Sequence, residues 1–203
     1  MLVNDPSLFD QAQKIFDNGT NRAQFLEGRI NQYSWTDLGS NFLMSEVSAA
    51  CLWAQLEVMD DLQAARHVLF KRYTTALKRW VDSGVIALPV IPDYCGHSAH
   101  LLYIEVIHPN GKKELMAHLK ERGISTAPHY VPLHKSEAGK RIGRFVGDDT
   151  RTNRAASSLV RLPLYTEMTT EDQDTVIEAV HDFWEKARDL GVNGTGATSN
   201  SSQ

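Results

Sequence analysis

One long stripe of apolar side chains constrains this chain most. From about Ser45, the residues Val47, Ala50, Ala54, Val58, Leu62, Ala65, Leu69, Tyr73 and Leu77 recur three or four positions apart. That spacing puts them on one face of a helix. The stripe predicts either one long helix bent near Met59-Asp60-Asp61 or two helices in succession, ending at Ser83-Gly84. A chain with such a helix must supply a broad surface to bury it. Cys51 falls within the pattern and reads as a small buried hydrophobe.

Shorter elements follow. Val85 to Leu88 reads as a short strand, and Leu101 to Ile107 (LLYIEVI) as a strong one. A helix is expected over about 112–122, closed by Gly123, and Ile124 to Val131 is a further strand candidate. Residues 132–150 look irregular, 151–160 helical and Val160 to Tyr165 extended. Thr170-x-x-Gln173 reads as a capping box opening a last helix, with Val176, Ile177, Val180, Phe183, Trp184, Ala187 and Leu190 on one face. The tail after Leu190 is rich in Gly, Ser, Thr and Asn and is expected to be disordered. The order of elements is an α/β layout with a small sheet.

The first forty residues are unusual. Leu2-Val3 looks like the end of a strand whose beginning is missing, which suggests truncation. Asp5-Pro6 reads as a helix cap and first position, with Phe9, Ala12, Ile15 and Phe16 at helical spacing up to Gly19. Residues 19–42 have no clear period, but carry Arg22, Phe25, Arg29, Tyr33 and Trp35. So aromatic a segment reads as a loop packed on a ligand or another subunit rather than as disorder.

Composition removes several function classes. The net charge is −4 with no basic run, which argues against nucleic-acid binding. No apolar run nears the roughly 20 residues needed to span a bilayer, and the start has no signal-peptide pattern. Two isolated cysteines, Cys51 and Cys95, fit a reducing cytoplasm. The N-x-S/T matches at Asn18, Asn193 and Asn200 therefore read as chance.

Few residues suggest chemistry by pattern alone. His97 and His100 have metal-like spacing only if helical, and they lie beside Gly96 before a strand. They read as loop histidines, and no metal site is expected. His129 and His134 flank Tyr130-Val131-Pro132-Leu133 where a strand gives way to a loop, a position that suits hydrogen bonding to a phosphate or sugar, or proton transfer. A structural hydrogen bond explains one such histidine equally well. Gly19-Thr20-Asn21-Arg22 could meet an anion through Arg22. Asn41 precedes a helix start, where free amides favour an anion, or it belongs to the cap. No P-loop, G-x-G-x-x-G or G-x-S-x-G motif is present.

Taken in order, several motifs resemble the DegT/StrS family of sugar aminotransferases. They are Gly19-Thr20-Asn21-Arg22-x-x-Phe25-x-x-Gly28, Tyr33-x-Trp35-x-Asp37-x-Gly39-Ser40-Asn41-Phe42-x-Met44-Ser45, Ala49-Ala50, Gln55-Leu56-Glu57, His129-Tyr130-x-Pro132-Leu133-His134 and Arg161-Leu162-Pro163-Leu164. The resemblance covers roughly residues 2–188. Its first two segments are most similar to the branch producing dTDP-4-amino-4,6-dideoxygalactose for enterobacterial common antigen.

The resemblance implies the C-terminal small domain of the aspartate-aminotransferase-like (fold type I) fold, plus the end of the large domain. Residues 1–42 would be the large-domain remnant with an interface loop, 43–190 the small α/β domain and 191–203 a disordered tail. It also implies pyridoxal phosphate, glutamate as amino donor, a dTDP-4-keto-6-deoxyhexose as acceptor, and a cytoplasmic homodimer. Asn41 matches a position that reaches a neighbour's cofactor phosphate. Arg22, Tyr33 and Trp35 would lie near the nucleotide-sugar, and His134 near its sugar. The family's Schiff-base lysine matches none of the nine lysines: Lys14, Lys71, Lys78, Lys112, Lys113, Lys120, Lys135, Lys140 and Lys186. The chain would thus be inactive alone. The alternative is a non-catalytic partner completing the site of a separate N-terminal half or full-length subunit.

Overall fold

The computed structural model describes residues 2–108 and 110–189. The expected disordered tail and Leu190 lie outside the described residues. The chain forms two compact units, residues 1–59 and residues 60 onward.

The first unit holds α1 (Phe9–Phe16), α2 (Arg22–Leu26) and α3 (Glu46–Glu57). Asp5 caps a single 3-10 turn, Pro6–Leu8, by accepting from the Ser7 amide at 2.9 Å. Residues 2–4 adopt no strand, contrary to expectation. The stretch 19–42, expected as a packed loop without regular elements, is more regular than that. It contains α2, and its second half runs back antiparallel to the first, with bridges Thr20 to Trp35 and Asp17 to Asn41. None of α1, α2 or α3 buries a residue within the chain. Cys51 on α3 is therefore exposed, not buried, and the helical spacing that suggested otherwise reports a face without saying what covers it. Val47 and Trp53 share this exposure.

The second unit contains α4 (Met59–Ala76), α5 (Lys78–Asp82), β1 (Ile86–Ala87), β2 (Leu102–Val106), α6 (Gly111–Glu121), β3 (Ala127–Pro128), α7 (Glu137–Ile142), α8 (Thr150–Ser158), β4 (Leu159–Leu162) and α9 (Thr170–Asp189). Of the two readings of the apolar stripe, the structure takes the second: two helices in succession, α3 and α4, parted at Val58. The strands form one antiparallel sheet in the order β1-β2-β4-β3. Leu102, Ile104 and Val106 alternate with half-buried Tyr103 and Glu105 along β2, so one face of the sheet turns inward. Against that face lie Tyr73, Leu77 and Trp80 of the α4–α5 segment, Leu115 and Leu119 of α6, and Val176, Val180 and Trp184 of α9. Truncating one of these to Ala would cost about 2–5 kcal/mol.

Two local readings are corrected. The strand expected over 124–131 shrinks to Ala127–Pro128, because Pro128 has no amide to extend a ladder and the segment is the sheet's edge. The last helix is capped by Thr169 and Asp172, each accepting the other's backbone amide at 3.0 and 3.3 Å. Gln173 is instead wholly buried, donating to the Leu69 carbonyl at 2.8 Å and accepting from Arg72 at 3.2 Å.

Candidate functional site

Four expected site residues sit on one backbone scaffold in the first unit. After α1 the chain turns through Asn18 and Gly19, both left-handed (φ 58° and 74°). The returning strand is held by backbone bonds from Asn18 to Ser40, Ser40 to Ile15 and Phe42 to Phe16, at 2.9–3.1 Å. The Gly19 carbonyl accepts from the amides of both Thr36 and Asp37 at 2.9 Å. The two strands approach so closely that a Cβ on Gly19 would lie 1.9 Å from the Asp37 carbonyl oxygen. One on Gly39 would lie 2.2 Å from the Gly19 nitrogen. These glycines are therefore fixed by backbone contact, and Gly19 also by its φ.

The polar motif residues divide between building and facing outward. Thr20 Oγ1 donates to the Asp17 carbonyl at 2.8 Å, and Asn21 Oδ1 accepts from the Ser34 amide at 2.7 Å. Both are occupied in holding the turn. Arg22 opens α2, with its guanidinium 3.7 Å from Asp17, a long and half-exposed ion pair that leaves most of its donors free. Tyr33 rests on Phe25 with ring centroids 5.5 Å apart. Trp35 is 75% exposed. Asn41 Oδ1 accepts from the Leu43 amide at 3.0 Å, which orients the carboxamide. Among the described residues its Nδ2 meets no acceptor.

His134 lies in the second unit, in a 3-10 turn over Leu133–Lys135. Its side chain is largely buried. Nε2 stands 3.1 Å from Asp149 Oδ2, and the ring rests on Phe145 with centroids 4.5 Å apart. The Asn153 side chain, with smaller help from His134 and Lys135, holds the Asp149 carboxyl below its ordinary range against partial desolvation. Asp149, which precedes α8, was not singled out by the sequence. The available cue was Asp148-Asp149-Thr150 before a helical stretch. His129 Nδ1 accepts from Arg161 at 3.1 Å, and that guanidinium lies 5.0 Å from the Tyr130 ring. His97 and His100 lie in an irregular loop, as expected. Among the described residues no three His, Cys, Asp or Glu side chains gather as a metal site, and no helix is long and apolar enough to cross a membrane.

Residues 1–181 match the model of the DegT/DnrJ/EryC1/StrS aminotransferase family. The chain belongs to this family. It is 28% identical over 191 residues to the spore coat polysaccharide biosynthesis protein SpsC of Bacillus subtilis (strain 168), covering 90% of this chain and 48% of that protein. It is 30% identical over 146 residues to the dTDP-3-amino-3,4,6-trideoxy-alpha-D-glucose transaminase of Micromonospora megalomicea subsp. nigra, covering 71% and 38% respectively. Among solved structures it resembles S. venezuelae DesV in complex with a ketimine intermediate, with a TM-score of 0.75, 26% identity, and coverage of 91% of this chain and 46% of that one. The chain thus spans about half the length of the curated relatives it matches. Its mixed α/β fold is that of this part of the aminotransferases.

Membership implies pyridoxal phosphate. The Asn41 carboxamide, oriented by Leu43 and with its Nδ2 meeting no acceptor among the described residues, fits a phosphate oxygen. A covalent attachment point is a poorer fit. Burial lowers the Lys112 ammonium below the usual lysine range, as imine-forming lysines require, but its Nζ donates to the Ala156 carbonyl at 2.8 Å.

Proposed function

We propose that this chain is the C-terminal part of a pyridoxal-phosphate aminotransferase. The whole enzyme would transfer the amino group of glutamate to a dTDP-4-keto-6-deoxyhexose, giving dTDP-4-amino-4,6-dideoxygalactose for a cell-surface polysaccharide such as enterobacterial common antigen. The observation that carries the reading is the Gly19–Gly39 scaffold, which presents Asn41, Arg22, Tyr33 and Trp35 together on a chain of this family.

When bound, the cofactor supplies the electron sink for amino transfer. The residues of this chain bind and orient. Asn41 Nδ2 donates to the cofactor phosphate of a neighbouring subunit in a cytoplasmic homodimer. Arg22 pairs with a diphosphate oxygen, while Tyr33 and Trp35 offer flat faces to the nucleotide. His134 meets a hydroxyl of the sugar. The outward-facing Asn41 amide also favours service in trans, completing a site whose lysine belongs to a separate N-terminal half or a full-length subunit.

Incubation with pyridoxal phosphate, borohydride trapping and mass spectrometry tests this. No cofactor mass is expected on any of the nine lysines, and transaminase activity is expected only after addition of an N-terminal half carrying the family lysine. Asn41→Ala should then weaken cofactor retention roughly tenfold, the scale of one lost hydrogen bond to a charged group. Stoichiometric trapping on a lysine of this chain would overturn the reading.

A further inference from the structure

The His134–Asp149 pair has a chemical asymmetry. The Asp149 carboxyl accepts from its neighbours and is held ionised, so at 3.1 Å it can only accept from Nε2. Nε2 must therefore carry the proton. In the neutral ring this leaves Nδ1 as a lone-pair acceptor, and among the described residues Nδ1 has no partner. The ring cannot turn freely, since Phe145 rests against it and its side chain is 18% exposed. The pair also joins two segments that face each other. A cleft of about 460 Å³ lies between the 129–133 stretch, with Tyr130 and Leu133, and α8, with Arg151, Thr152 and Ala155. Asp149 leads directly into α8, and His134 follows directly on Leu133.

We infer that Asp149 is a positioning residue that fixes the His134 ring through Nε2–H, so that Nδ1 is the atom offered to a hydroxyl donor of the ligand. The inference rests on the proposed nucleotide-sugar reading of His134. Carboxylates that hold the far nitrogen of a working imidazole set both its tautomer and its orientation. Asp149 does this while anchored at the start of a helix, so its own position is fixed by the fold. The hydroxyl proton moves no further than the hydrogen bond to Nδ1.

The test is nitrogen-15 NMR of the histidine rings in the labelled full 203-residue chain, combined with an unlabelled N-terminal half carrying the family lysine, with His134 assigned from His134→Gln. At a pH where the ring is neutral, the proton is expected on Nε2 as a slowly exchanging downfield signal. Saturation with a dTDP-4-keto-6-deoxyhexose is expected to shift Nδ1. Asp149→Ala should erase the downfield signal and the Nδ1 response, and weaken binding roughly tenfold. Asp149→Glu, which keeps the acceptor, should restore part of both. Unchanged far-ultraviolet circular dichroism separates these losses from unfolding. A proton on Nδ1 in the unaltered chain, or a downfield signal that survives Asp149→Ala, would overturn the inference. So would ligand-induced shifts elsewhere with Nδ1 unmoved. No ligand-induced shift anywhere, with the Nε2 signal still dependent on Asp149, rejects instead the nucleotide-sugar reading on which the ligand-facing role depends.

Discussion

At the scale of single residues, Gly19 fixes the turn of the first unit by backbone contact. Its φ of 74° and its contact with the Asp37 carbonyl leave no room for a methyl group. Gly19→Ala is expected to displace the 34–42 return and lower stability by about 1–3 kcal/mol. Limited proteolysis should read this as new cleavage between residues 18 and 42, with the second unit intact. The sequence made Gly19, Asn21 and Arg22 visible as a motif, but not the division of labour among them. Asn21 looks as suited to a ligand as Asn41. Both side chains accept a backbone amide through Oδ1, Asn21 from Ser34 across the turn and Asn41 from Leu43, and only the fold separates them, leaving Asn21 half-buried and Asn41 exposed.

At the scale of elements, α9 is clamped by two histidines that must stay neutral. His181 Nδ1 accepts from Trp80 Nε1 at 2.7 Å and from Arg79 at 3.0 Å, so it holds no proton. His118 Nε2 donates to the Ala179 carbonyl at 3.0 Å, which leaves Nδ1 to accept from Arg122 at 3.1 Å. Burial, then the adjacent Arg79 or Arg122, lowers both below the ordinary 6.5; Lys186 also lowers His118. The bond to the Ala179 carbonyl, then Asp182, opposes the shift at His118, and Glu185, Asp182 and Glu178 oppose it at His181. The unfolded chain therefore takes up protons first. Stability is full above about pH 6.5, falls as the pH drops below that value, and levels off once the folded histidines protonate. Thermal melts between about pH 7.5 and pH 5 should show a declining Tm, and His181→Phe should flatten part of the decline.

The same elements show how far the pattern could be read. β2 and α9 were legible because each has one buried face and a clear period. The register of the α9 cap was not. Thr169 and Thr170 are equivalent in sequence, and the choice is made by Gln173, whose burial against Leu69 and Arg72 is a tertiary fact. Pro128 confined an otherwise plausible strand to two residues.

At the scale of the whole molecule, the two units differ in what holds them. The second has a continuous apolar core, while α1, α2 and α3 of the first bury no residue within the chain. The stripe from Val47 to Leu77 was legible as a helical face, yet only Leu69, Tyr73 and Leu77 of it are buried. Periodicity identifies a surface that wants covering. It cannot say that the cover belongs to the same chain.

That contrast has a consequence in time. Amide protons exchange with solvent whenever a segment opens, and opening is cheapest where few buried contacts must be broken. The hydrogen bonds around Gly19 should therefore open and close far more often than those of β2 and β4. Deuterium labelling followed by mass spectrometry should find residues 9–57 labelled within seconds to minutes, while peptides spanning Leu102–Val106 and Val176–Trp184 remain protonated far longer. Adding the complementary half should slow the first group and leave the second unchanged. The arm that presents Asn41 would then be the part of this chain whose order is completed by its partner.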